Sequence, residues 1–488
     1  MGGSLLASGA AGRACRRQHR TTILAAASGA TGRHREDARR VRIGPHTGCS
    51  VRGPTGRRHD DATLSGGVSR PLGSSALSPF LVPAFRLQWP ADLLTSCAFE
   101  METLILGWYV LVETGSVVLL TLFGVLQFAG TLVAPMFGVL GDRFGHRNLL
   151  CAMRAVYTAL AAVLMAVAFA DALTPFLALV IAGLMGLVRP SDLGVRMALI
   201  GDSMPSDQLV AAMGISRTTS DFARAGGALA GAGMFAVFGM GYAYVAVTGC
   251  YAAGLLLTLA ISARRPVPHA PAQPAGAAAE PPSTWRDLKE GMAYVWSTPQ
   301  LLAAMLIAFL VNLTAYPLSN GLLPYVARDI YHIDQRGLGY LVASFAIGAL
   351  AGSLVVILRR GIRPGRAMVL SALAWYAALL AFAQMRGPYG GGAMLVLAGF
   401  AQSFCMVTLA VLLLRATSDK LRGRVMGVRM LVIYSLPLGL LAAGALIERI
   451  GFGPTATLYA AVGLLLTLVI ALRWRAAIWH PPVPGLSR

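Results

Sequence analysis

Two carboxylates, Glu100 and Glu102, stand near the middle of an apolar run that begins at Trp89. An ionisable group inside an apolar span is costly, so it signals function until a partner or a route to the surface is found. Two positions on a helix are separated by roughly 200° of rotation. The pair therefore cannot share a face, and one glutamate must look into a central space while the other meets a neighbouring helix. A carboxyl group in either place can take a proton from one side and release it to the other as solvent access alternates. Glu102 is the preferred coupling or cation-recognising acid, and the alternative is that either glutamate serves as the interhelical partner of an arginine.

A second set of charges lies further on. Arg189, Asp192 and Arg196 close one apolar run, and Arg217, Asp221 and Arg224 open the next with spacings that place all three on one stripe. An aspartate between two arginines suits an ion-pair network that breaks and re-forms. Arg196 and Arg217 stand near the ends of their runs and are expected to extend to the surface. Asp192, Asp221 and Arg224 are candidates for the central space. Neither a metal-ligand spacing, a nucleotide loop nor a nucleophile–base motif occurs, so no cofactor and no enzymatic chemistry is expected.

The elements that must position these residues are lipid spans. The 488 residues are 56% hydrophobic and 13% charged, with a mean hydropathy of +0.64; soluble domains carry about a quarter charged residues. The formal net charge of +20 comes almost entirely from arginine, with Lys289 and Lys420 the only lysines. Nucleic acid would be one reading of such a charge, but the arginines sit in loops between apolar runs. The six cysteines, Cys15, Cys49, Cys97, Cys151, Cys250 and Cys405, show no disulfide framework.

Windows of about 20 apolar residues, enough to cross a bilayer as helix, fall at 89–112, 117–139, 149–170, 174–196, 209–236 and 241–262, then at 299–326, 337–358, 366–385, 391–414, 424–447 and 453–474. The reading is an all-α polytopic membrane protein of twelve transmembrane helices in two pseudo-symmetric six-helix bundles, 84–263 and 299–475. Gly214, Gly226 and Gly231 recur with the same intervals as Gly427, Gly439 and Gly444, which supports an internal repeat. Residues 1–83 have the composition of a disordered leader or of a mis-assigned extension of the reading frame. Residues 264–298 form a proline-rich linker ending in an amphipathic helix with Trp285, Leu288, Met292 and Trp296 on one side, and 476–488 form a tail. Arginines concentrate in alternate loops, so both termini and the linker are expected in the cytoplasm and the protein in the cell inner (plasma) membrane.

Between the second and third spans stands Gly138-Val-Leu-Gly-Asp142-Arg143-Phe-Gly145-His-Arg147. On charge alone this is a topology anchor. Its order G-x-L-x-D-R-x-G-x-R resembles the loop signature of the major facilitator superfamily. Ala225-Gly226-Gly227-Ala228-Leu229-Ala230-Gly231 is similar to the family's fifth-helix glycine motif of antiporters, with Gly227 in place of the usual proline. Leu421-Arg422-Gly423-Arg424, Pro437-Leu438-Gly439 and Gly348-Ala-Leu-Ala-Gly352 resemble the bacterial branch that includes enterobactin and macrolide exporters.

The resemblance covers Phe85 to Arg475 and implies the major facilitator fold. It implies secondary transport of a small molecule by alternating access, through a monomer in the lipid bilayer, by proton-coupled efflux, with import or facilitated diffusion as the alternative. A non-transporting membrane sensor or enzyme is the remote alternative. It also implies that Asp142, with Gly138, Arg143, Gly145 and Arg147 around it, meets the positive N-terminus of the eleventh helix at Arg422 and Arg424 when the cytoplasmic side shuts. Gly226, Gly227 and Gly231 read as tight packing and a hinge. Pro317 and Pro324 read as a break in the seventh span.

Overall fold

The computed structural model describes residues 78–131, 133–205, 208–261, 284–359, 363–417 and 421–479. The expected leader up to residue 77 and most of the expected tail lie outside the described residues, as does 262–283 of the linker.

The described chain is helical. The first half comprises α1 (Pro83–Thr114), α2 (Val117–Leu126), α3 (Ala134–Phe144), α4 (His146–Phe169), α5 (Pro175–Ser203) and α6 (Leu209–Ala260). The second comprises the linker helix α7 (Thr284–Ser297), α8 (Pro299–Leu310), the single turn α9 (Leu323–Tyr325), α10 (Gln335–Leu358), α11 (Pro364–Gln384), α12 (Pro388–Ala416), α13 (Arg422–Ile433), α14 (Ser435–Ile450), α15 (Phe452–Arg473) and the short α16 (Arg475–Trp479). Among the described residues nine helical segments are long and apolar enough to cross a membrane. One of them, α6, is too long for a single crossing and bends where Gly239 takes a positive φ of 79°, which makes it two passes. The more polar α1 and the pair α2–α3 complete twelve.

Local sequence explains the ends. Ser116 accepts a hydrogen bond from the Leu119 amide (3.3 Å) and Thr174 from the Leu177 amide (3.3 Å), while Asp334 accepts from the Gly337 amide (3.0 Å). Proline opens α5, α11 and α12, where its missing N–H costs nothing. Large apolar side chains such as Phe176, Leu256, Leu465 and Leu472 stand exposed on the outside, as a surface solvated by lipid requires.

The seventh span departs from regular α-helix around its prolines, and Leu322, two residues before Pro324, leaves helical geometry with φ −99° and ψ 0°. It runs on from α8 through π-helical turns at Val311–Ala315, Pro317–Gly321 and Val326–Ile330. The Leu322 amide reaches the Pro317 carbonyl (3.0 Å) and the Tyr331 amide the Val326 carbonyl (2.9 Å). Such wider turns are where a helix accommodates residues that cannot donate an N–H to its ladder.

Each half has its own core. Phe99, Tyr157, Tyr244 and Tyr251 lie in the first; Phe345, Trp375, Tyr376 and Phe382 lie in the second. Leu104, Trp108, Val117, Ala228 and Ala232 of the first half join the core of the second. These contacts gather at the end of the bundle that carries the α1–α2 and α14–α15 turns. There α6 packs on α10 and α2 on α14, and the Arg328 guanidinium donates to the Leu111 carbonyl (2.6 Å). At the opposite, arginine-rich end, α3 packs on α4 and α5, and α13 packs on α7 and α8. Each of these stays within its own half.

Candidate functional site

Between the halves lies a cavity of about 540 Å³. The first half contributes Glu100, Thr103, Gln127, Arg189, Arg217 and Arg224; the second contributes Asn312, Tyr316, Asn320 and Arg429, with Leu338, Met406 and Leu436 among the apolar wall. The halves are sealed together at one end, and Arg217, which lines the cavity toward the basic end, is exposed. The cavity therefore faces the basic end.

The two glutamates separate as helical rotation demands. Glu100 lines the cavity with Arg224 at 3.7 Å. Glu102 is buried on the other face of α1, where Tyr251 of α6 donates a hydrogen bond to it (2.9 Å). Its second carboxylate oxygen has no hydrogen-bond partner among the described residues. Thr103, Gln127 and Arg189 border both the cavity and the small void beside Glu102, so one layer of side chains divides that acid from the cavity. Arg189 holds this layer by donating to Thr103 (2.9 Å) and Gln127, with its guanidinium 4.7 Å from the centre of the Phe99 ring.

Asp192 and Arg196 do not line the cavity. They belong to a buried cluster of α1, α4 and α5: Arg154 pairs with Asp92, Arg196 pairs with Asp192, and Arg196 stands 3.7 Å from Asp92. Arg154 also donates to the Gly254 carbonyl (3.2 Å) and Arg196 to Ser96 (2.8 Å). Arg196 is 4% exposed and Arg154 0%. The expectation that Arg196 extends to the surface is thus overturned, because α1 continues outward from Trp89 to Pro83 and covers that end of α5. The Asp221 side chain lies outside the described residues, as do those of Asp142 and Arg422, and nothing is described of the surroundings of Gly138 in α3.

The remaining candidates fall on packing surfaces or on the basic end. A β-carbon on Gly227 would meet the Cys97 carbonyl oxygen at 2.7 Å, and one on Gly231 the Met101 Cα at 2.8 Å, so both seat α6 against α1. Gly226 has open space around it, and the bend of α6 falls at Gly239 instead. Gly145 takes a φ of 85° between α3 and α4. Arg147 donates to the Leu259 carbonyl (2.5 Å), tying that loop to the end of α6. Arg143 is exposed over the Phe144 ring. Arg424 pairs with Glu290 of α7, within its own half. Pro324 lines the cavity and Pro317 is buried.

Sequence reasoning missed Asp92, Gln127, Tyr316 and Arg429. A faint signal existed for the last. The repeat that maps Gly214 onto Gly427 places Arg429 one residue from the counterpart of Arg217.

A family model described as Major Facilitator Superfamily matches residues 66–439. Macrolide efflux protein A of Streptococcus pyogenes is 23% identical over 266 residues, which is 54% of this chain and 63% of that relative. The match therefore spans less than two thirds of the curated relative. Among solved structures, an auto-inhibited POT family peptide transporter superposes with a TM-score of 0.62 at 14% identity, covering 83% of this chain and 98% of the other. The nucleoside transporter NupG gives 0.59 at 14%, covering 80% and 99%.

Proposed function

Because the chain belongs to the Major Facilitator Superfamily, we propose that it is a proton-coupled exporter of a small molecule that works by alternating access. The observation that carries this reading is the cavity lined from both halves and sealed at one end only. Two bundles that rock about such a cavity expose it to each side in turn. The charge on the loops supports the orientation. Arg143, Arg147, Arg363, Arg415, Arg424 and Arg473 all stand at the end toward which the cavity opens, so the positive-inside rule places that end and both termini in the cytoplasm of the cell's plasma membrane. The arrangement is then the state that loads from inside. Export as the direction rests on the macrolide efflux relative.

Glu102 is the coupling acid in this reading. Its burial behind Thr103, Gln127 and Arg189 lets protonation act on the cavity wall without occupying the cavity. Asp142 is the latch that meets the start of α13 when the basic end shuts; α3 packs on α4 and α5, and α13 on α7 and α8.

The test uses everted membrane vesicles carrying an imposed pH gradient, with a substrate first identified by resistance or accumulation in an efflux-deficient host. Adding it is expected to dissipate the gradient in the wild type. Glu102→Gln is expected to retain folding and binding while losing this proton flux. Undiminished proton-driven transport in that variant would remove Glu102 from the mechanism.

A further inference from the structure

We infer that the central cavity recognises an amphipathic organic anion, a carboxylate or phosphate-type group on an apolar body, and that Arg429 is the anchor of its charged head. The inference rests on the reading of the cavity as the transport site and adds the class of its cargo.

Charge balance is the first argument. Arg189, Arg217, Arg224 and Arg429 all line the cavity, and Glu100 is the one carboxylate recorded on its wall among the described residues. Asp221 shares the α6 stripe of Arg217 and Arg224. Counting it as a second acid still leaves four guanidiniums against two carboxylates. A low-dielectric chamber with that excess draws anions and repels cations.

Arg429 supplies the second argument. It extends from α13 in the second half, is partly buried, and has neither a hydrogen-bond nor an ion-pair partner among the described residues. It lines the same cavity as Arg217 and Arg224 of the opposite half. The other arginines are differently placed: Arg189 is engaged by Thr103 and Gln127, and Arg224 stands beside Glu100. A half-buried guanidinium without a partner is unfavourable alone, and its planar fork fits a bidentate oxyanion. An anion held by Arg429 would sit on the wall that the second half contributes to the cavity.

The third argument sets the rest of the ligand. Leu104, Leu338, Met406, Leu409, Val432 and Leu436 supply apolar lining to the same cavity. A free inorganic anion would leave that wall wet, whereas an aliphatic or aromatic body would cover it.

Equilibrium binding to the purified full-length protein, with no pH gradient, tests this separately from transport. The probes are a matched trio: biphenyl-4-acetate, its neutral amide and biphenyl-4-methylamine. The acetate is expected to bind at least tenfold tighter than the amine. Arg429→Gln is expected to weaken the acetate by roughly tenfold or more and to leave the amide unchanged, and Arg429→Lys to recover part of the loss. Absence of an anion preference across the trio overturns the proposal. So does an unchanged acetate affinity in Arg429→Gln that melts like the wild type. Preserved anion binding in a protein that moves no substrate with a proton gradient would instead refute the exporter reading and leave the cavity assignment standing.

Discussion

At the scale of single residues, burial separates charges that hold the first half together from charges that face the cavity. Asp92 balances Arg154 and Arg196, both almost wholly out of solvent. Removing one member of a buried ionic cluster leaves an uncompensated charge and costs about 3–5 kcal/mol. Asp92→Asn is therefore expected to lower the melting temperature in detergent markedly. Glu100→Gln is expected to change it little, since the Glu100 and Arg224 side chains are 24% and 30% exposed. Equal shifts in the two variants would contradict this division. The sequence made Glu100 and Glu102 visible, and their divergence followed from helical rotation. It did not reveal the cluster, because Asp92 and Arg154 lie near the ends of apolar windows, where a charge reads as a loop residue. The packing of α1 and α6 against α4 buries them.

At the scale of elements, spacing in the sequence identified the glycine run of α6 but not which glycines face a partner. Gly227 and Gly231 are separated by one turn and both meet α1, while Gly226 lies off that face. A side chain at Gly227 would be driven into the backbone of Cys97, and such overpacking costs typically 1–3 kcal/mol. Gly227→Leu is expected to lower thermal stability and Gly226→Leu to be tolerated, measured side by side in the same detergent. The reverse order would mean that α6 does not sit on α1 through this face. The seventh span shows the same limit. Its prolines are legible, but whether the freed backbone unwinds or widens depends on the neighbours, and here Ser319, Leu318 and Val326 are buried in the second core, which favours π-helical turns on either side of Leu322 over exposed carbonyls.

At the scale of the whole molecule, twelve passes in two repeated halves were readable from hydropathy and from the glycine intervals. Which end of the bundle is sealed was not. That depends on contacts between halves more than 100 residues apart, such as Ala232 beside Gly339 and Thr121 beside Gly444. Alternating access requires these contacts to part once in each cycle, and the pair on α2 and α14 offers a way to hold them. A β-carbon on Gly444 would lie 3.3 Å from the Thr121 Cβ, close to the separation a disulfide spans. With the six native cysteines replaced, Thr121→Cys with Gly444→Cys is expected to cross-link under mild oxidation, to stop transport, and to recover it on reduction. Transport by each single variant should respond to neither oxidation nor reduction. Binding of a ligand to the cavity should persist in the cross-linked protein, because the basic end stays open while the sealed end is locked. Wild-type turnover with the cross-link intact would show that this end need not open, and the rocking of the two halves about the cavity would have to be abandoned.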